Sequence, residues 1–271
     1  MEPERANAIV GPSEQATSTA SGPGWVMHHG DCLEGLRGMA DKTIDVVITD
    51  PPYEAEAHTK ARRTLKGDWA KVNDYGKVFE SYEIDFVPIT EEQRVEAAKQ
   101  IVRVTRGWAL VFCQVEAVAL WRAALEAAGA NWRRAMAWVK PDGTPQLTGD
   151  RPAQGFECIA TAWCSAGRSQ WNGGGRRGVF THCVNNYGRN DRPHPTSKPL
   201  SLMSELVSLF SDPGEVILDP FAGSGSTLLA ARDLGRSSIG WELNRSYFDI
   251  ACRRFRGERA KPLDHQPELF K

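Results

Sequence analysis

The sequence predicts an α/β protein built on a doubly wound, mostly parallel sheet. Three observations carry that prediction. Apolar runs such as Ile44-Asp45-Val46-Val47-Ile48-Thr49 lack the strict alternation of a half-wetted strand and read as strands buried on both faces. Helical periodicities separate such runs along much of the chain. Two of the runs stop in unusual turns, Asp50-Pro51-Pro52-Tyr53 and Pro220-Phe221-Ala222-Gly223-Ser224-Gly225.

Taken in order, residues 1–24 are rich in Pro, Ser, Thr, Ala and Gly without apolar periodicity, and read as a disordered leader. Order is expected from Trp25-Val26-Met27. A strand at 44–49 is followed from Thr90 by a helix to Val104, with Val95, Ala98, Ile101 and Val102 on one face. Residues 108–113 read as a strand, and 115–128 as a helix stopped by Gly129. A strand is expected over 132–139 and a further apolar stretch over 156–163. Then come a helix over 200–210, a strand over 216–218, a helix over 226–234, a strand over 238–241 and a helix over 245–255. Residues 54–82 and 141–195 break the rhythm, being long, polar and rich in Gly and Arg. Segments of that length inside a compact domain are usually functional or disordered.

At 271 residues the chain is long enough for one large α/β domain or two small ones. Its hydrophobic share of 41% argues against a disordered chain, and no apolar run approaches the ~20 residues of a membrane span. No signal-peptide pattern is visible, so a cytoplasmic protein is expected. Cys32, Cys113, Cys158, Cys164, Cys183 and Cys252 have neither CxxC pairing nor zinc-ligand spacing, so no metal is expected. The formal net charge is −1, yet residues 131–200 hold ten Lys/Arg against four Asp/Glu. That local excess suggests a surface facing a polyanion.

The two turns carry the chemistry. Successive prolines end the strand ladder because neither donates an N–H and both hold φ near −65°. What remains is a rigid platform with an acceptor carboxylate (Asp50), carbonyls free of ladder partners (Pro51, Pro52) and an aromatic face (Tyr53). A planar base bearing an amino group needs those parts: acceptors for two amino hydrogens and a ring to stack on. In the second turn, glycines let backbone approach a ligand and expose N–H groups at a helix start. It has neither the GxGxxG spacing of a dinucleotide site nor the Lys-Ser/Thr end of a phosphate loop. Asp219 beside it would repel a pyrophosphate but accept from an ammonium group. Glu242, ending the next strand, is placed to take a ribose's two hydroxyls. A nucleoside carrying an amino acid satisfies both acids.

With these residues in place, the chain resembles the β-class amino-methyltransferases of DNA, which methylate exocyclic amino groups with S-adenosylmethionine. The resemblance covers roughly residues 25–256 and rests on motif order: platform, then a target-recognition region at about 141–195, then the glycine-rich turn. It adds His194-Pro195-Thr196-Ser197-Lys198-Pro199 and His29-Gly30-Asp31-Cys32 as cofactor segments. The resemblance implies a Rossmann-like methyltransferase fold with circularly permuted motif order, followed by a flexible tail at 257–271. It implies that Gly223 and Gly225 shape the cofactor loop, with Phe221 lining the pocket and Ser226 at the helix start as contact or cap. Asp219 would face the methionine moiety, Glu242 the ribose, Asp31 (with Cys32 beside it) the adenine, and Lys198 the cofactor's carboxylate. Asp50 and a proline carbonyl would accept the target amino hydrogens, exposing a lone pair otherwise delocalised into the ring, for direct transfer without a cysteine nucleophile. Flipping the base out costs a few kcal/mol, about 1–3 of which stacking on Tyr53 would return.

An aspartate opening the platform resembles the N6-adenine members, with N4-cytosine methylation and a non-catalytic DNA-binding relative as alternatives. Double-stranded DNA is the implied partner, with Arg176 and Arg177 in the Trp171–Arg177 segment and Arg62 and Arg63 in the segment after the platform as candidate contacts. Restriction–modification is a common setting for such enzymes, and a homodimer is a common assembly. The tail contains Gln266-Pro267-Glu268-Leu269-Phe270, similar to peptides that dock on bacterial sliding clamps.

Overall fold

In a computed structural model the described residues are 18–54, 87–143, 149–184 and 197–258. They form one nine-stranded sheet in the order β1-β2-β9-β8-β3-β4-β6-β5-β7. The strands are β1 (Ser18–Gly22), β2 (Trp25–His29), β3 (Ile44–Thr49), β4 (Thr105–Cys113), β5 (Asn131–Val139), β6 (Phe156–Trp163), β7 (Val179–Thr181), β8 (Val216–Asp219) and β9 (Ser237–Glu242). The five central strands β2, β9, β8, β3 and β4 are mutually parallel. β6 runs against both β4 and β5, and β1 runs against β2. The doubly wound, mostly parallel sheet read from the sequence is therefore the observed architecture.

Among the described residues six helices cover the faces: α1 (Cys32–Arg37), α2 (Glu91–Val104), α3 (Val118–Ala127), α4 (Leu200–Phe210), α5 (Ser226–Asp233) and α6 (Arg245–Phe255). Strand alternation divides the core between them. Val47, Ala109, Val111, Leu218 and Ile239 point to the face packed by α1, α2 and α3. Val46, Ile48, Leu110, Phe112 and Ile217 point to the other face, under α4 and α5. A third cluster joins Trp25 and Met27 of β2 to α5 and α6. Each large aliphatic side chain buried this way is worth about 1.5–3 kcal/mol against exposure, so the apolar runs dictate the layers. Gly240 lets α5 lie directly on β9, since a β-carbon there would stand 2.9 Å from Ala222 Cβ and from Leu228 Cδ2.

Local signals explain the helix ends. Thr90 and Gln93 close a reciprocal capping box at the start of α2, and Asn244 accepts from Ser246 N at 2.9 Å to cap α6. The helix expected over 115–128 opens as a 3-10 turn and stops at Gly129, whose φ is +94°.

Two expectations need correction. The disordered leader assigned to residues 1–24 ends earlier, because Ser18–Gly22 pairs as an edge strand with β2. A run of small polar residues gives no apolar period, and only the neighbouring strand supplies its hydrogen bonds. The stretch at 141–195 is not wholly an insertion either. Residues 156–163 form β6, flanked by β4 and β5 inside the sheet. Residues 1–17, most of the segment after the platform with Arg62 and Arg63, and the tail with Gln266, Leu269 and Phe270 lie outside the described residues. Among the described residues no helix is long and apolar enough to cross a membrane.

Candidate active site

The sheet order brings the sequence motifs together. β2, β9, β8 and β3 are parallel neighbours, so their carboxyl ends lie side by side. Each end carries an acid: Asp31 just after β2, Glu242 closing β9, Asp219 closing β8 and Asp50 just after β3. Four acids thus line one edge, although the chain separates them widely.

Glu242 is bound into the glycine turn. Its Oε2 accepts from Gly223 N at 2.9 Å and its Oε1 from Asn244 N at 2.6 Å. Burial still pushes its pKa up to about 7, against the downward pull of those N–H groups. Asp219 is 3% exposed and accepts from Thr49 Oγ1 at 2.7 Å, Thr227 Oγ1 at 2.6 Å and Phe221 N at 3.1 Å. Burial pushes it up to about 6, opposed by those donors and helped by the nearby Asp50. Asp219 therefore ties β3, the turn and α5 into one piece.

The glycines divide the work. Gly223 sits at φ +53° with nothing within 4 Å of a β-carbon, so its side is open. Gly225 sits at φ +79°, and its β-carbon would meet Phe255 Cζ at 2.8 Å, so it is demanded by packing on α6. Ser226 is buried and its hydroxyl accepts from Arg254 Nη1 at 3.2 Å, while Gly225 holds the N-cap position. Phe221 is partly buried against the core under the turn. Asp31 caps α1 by accepting from Leu33 N at 2.8 Å, and Cys32 is buried as that helix's first residue.

The implied cofactor fits this row of acids. S-adenosylmethionine presents an amino edge, two ribose hydroxyls, a sulfonium and an ammonium, which are donors or positive charges along its length. Asp31, Glu242, Asp219 and Asp50 are acceptors, and burial holds Asp219 and Glu242 above the usual carboxylate range.

At the platform, Asp50 Oδ2 takes the Lys198 ammonium, presented from the turn before α4. Asp50 Oδ1 is buried without a hydrogen-bond partner. Burial pushes the Asp50 pKa up, and Lys198 opposes it. Lys198 also lies 3.2 Å from Glu157 Oε2 and stands over the rings of Phe112 at 5.0 Å and Tyr53 at 5.8 Å. Lys140 pairs with the same Glu157. The lysine expected on the cofactor's carboxylate thus stands on the platform aspartate. Motif reading alone misses Glu157 and Lys140. A lone acid in the otherwise apolar Phe156–Trp163 strand was the one signal that could have found Glu157.

The segment expected to meet DNA packs along α4. Asn172 Nδ2 bonds Ser211 O at 3.0 Å and Asp212 Oδ1 at 2.9 Å, fastening residues 171–175 to the far end of α4. Arg176 reaches back to Glu205 at 2.6 Å, and Arg177 is exposed.

Comparison with known proteins points to a family. A family model described as DNA methylase matches residues 44–253. The type II methyltransferase M.HinfI of Haemophilus influenzae is 27% identical over 264 residues, covering 87% of this chain and 69% of the relative. Among solved structures, the M1.HpyAVI–SAM complex has a TM-score of 0.61 at 25% identity, covering 84% of this chain and 98% of that one. The cytosine-N4-specific PvuII DNA methyltransferase has a TM-score of 0.66 at 16% identity, covering 89% of each chain, a likeness of fold alone.

Proposed function

This chain belongs to the DNA methylase family matched over residues 44–253, and on that premise we propose that it methylates the exocyclic N6 of adenine at specific DNA sites. It is a DNA methyltransferase, and S-adenosylmethionine, when bound, supplies a methyl group already activated on a sulfonium. The adenine reading is supported by the aspartate that opens the platform, as in the N6-adenine members the chain resembles. One oxygen of Asp50 is buried and without a partner, free to accept from an amino group. Its acceptor oxygens suit the two hydrogens of an exocyclic amino group, and engaging them favours a pyramidal nitrogen with an available lone pair. Tyr53 offers a stacking face for the flipped base. Glu242 would take the ribose hydroxyls and Asp31 the adenine amino group, while Asp219 braces the turn against β3. Holding donor and acceptor in line is the larger part of such a transfer, because no covalent enzyme intermediate is needed.

The test is methylation mapping of genomic DNA from a methylation-deficient bacterial host expressing this protein, beside an Asp50→Ala control. N6-methyladenine at a defined motif, absent from the control, is the expected result. N4-methylcytosine would overturn the base assignment and leave the reaction standing. The same reading carries a DNA contact at Arg176 and Arg177, a restriction–modification setting and a homodimer. Clamp docking through Gln266, Leu269 and Phe270 is tested by pull-down with purified sliding clamp. Equal retention of the Leu269→Ala/Phe270→Ala variant would sink it.

A further inference from the structure

Glu157 belongs to no motif of the chain, yet it organises the charges around Asp50. It projects from β6, among small and apolar residues, with a side chain 15% exposed. One oxygen takes the Lys140 ammonium, and the other lies 3.2 Å from the Lys198 ammonium that holds Asp50. Two carboxylates and two ammonium groups thereby form a neutral set. Within it, Asp50 Oδ1 is buried without a hydrogen-bond partner, while Glu157 Oε2 has the Lys198 ammonium and the Tyr53 hydroxyl beside it. Native interiors rarely orphan such an atom, so Asp50 Oδ1 is poised to accept from a donor that a ligand brings.

An incoming amino group needs the lone pairs of Asp50, and Lys198 already occupies one oxygen. Expelling the ammonium to water would leave a shielded carboxylate without its counter-charge, which is costly. Resting on the methyl-transfer reading of Asp50, we propose that Glu157 is a positioning residue that draws the Lys198 ammonium off Asp50 as the base enters. The path is short and lined with π faces: Phe112 at 5.0 Å, Tyr53 at 5.8 Å and Trp138 at 5.9 Å from Lys198 Nζ. Lys140, over Trp138 at 4.7 Å, keeps Glu157 ionised after the exchange.

The groups acting on Asp50 come from every neighbouring element: Lys198 before α4, Glu157 on β6, Lys140 after β5, Asp219 on β8, Cys113 on β4 and Tyr53 beside it. Burial raises Asp50, Lys198 opposes it, and Glu157 adds to the rise. Removing the Glu157 charge therefore lowers the Asp50 pKa and tightens its hold on Lys198.

The experiment uses the 271-residue chain with Glu157→Gln, and Glu157→Asp as the conservative companion. One readout is the Asp50 titration in the free protein by carboxylate NMR, assigned with Asp50→Asn. The other is single-turnover methylation against pH on DNA carrying the mapped site. Glu157→Gln is expected to lower the Asp50 midpoint, move the acidic limb the same way, and reduce the plateau roughly tenfold to a hundredfold. Glu157→Asp recovers most of the plateau. A uniform fall with midpoint and limb unmoved, as a loosened fold gives, overturns the inference alone. An unchanged plateau overturns it too. Absence of methylation by the wild type overturns the methyl-transfer reading and this role with it.

Discussion

The Gly223 N–H donates to Glu242 Oε2 at 2.9 Å, so the turn after β8 and the acid closing β9 are one unit. With burial pushing Glu242 up to about 7, much of it holds a proton at neutral pH. Ribose hydroxyls donate to the ionised form, so cofactor binding should expel a proton below about pH 7 and none well above it. Affinity should rise as pH climbs towards that value and then level. Calorimetry in two buffers of different ionisation heat measures the proton, and Glu242→Gln should abolish it. In the unliganded protein the sign reverses for stability. A carboxyl raised from 4.5 to about 7 stabilises the fold at low pH and loses that contribution as pH rises through the interval. The raised Asp219 acts in the same direction.

Lys198→Met removes the cation that opposes the rise of the Asp50 pKa. The acidic limb of the methylation rate should move to higher pH, the opposite sense to Glu157→Gln. Cofactor affinity should change less than the rate. An unmoved limb with cofactor binding lost would return Lys198 to the role of cofactor-carboxylate ligand.

Gly225 and Gly223 make a matched pair. Alanine at 225 must adopt φ +79° and drive its β-carbon to 2.8 Å from Phe255 and 3.1 Å from Ala251. A loss of about 2–4 kcal/mol in denaturant unfolding is expected, combining left-handed strain with overpacking. Alanine at 223 meets nothing within 4 Å and should cost only about 1–2 kcal/mol, yet it stands beside Glu242, the residue proposed to take the ribose, and should weaken cofactor binding several-fold. Equal stability losses would contradict this division.

Arg176→Ala combined with Arg177→Ala tests the basic segment. If both guanidinium groups meet phosphates, the slope of log affinity against log salt should fall by about 2. Arg176 must exchange its Glu205 partner for DNA, so Glu205→Gln should strengthen binding slightly. An unchanged slope would move the DNA interface elsewhere.

The sequence alone determined the layers and the main motifs, because those signals are local. A buried strand must be apolar over its few residues, as Ile44–Thr49 is. A surface helix must show its stripe, as Glu91–Val104 does through Ala98, Ile101 and Val102, although Val95, expected beside them, is exposed and Ala97 is buried in its stead. The platform and the glycine turn were legible for the same reason: prolines, positive φ and strand ends act on adjacent residues. β1, α1 and β7 were not legible, since five, six and three residues are too few to show a period. Tertiary structure alone decided which ends meet. Lys198 finds Asp50 from 148 residues away, and Glu157 reaches both lysines because β6 lies between β4 and β5. An ion pair depends on the positions of two side chains in space, and strand order, which no local pattern encodes, sets those positions.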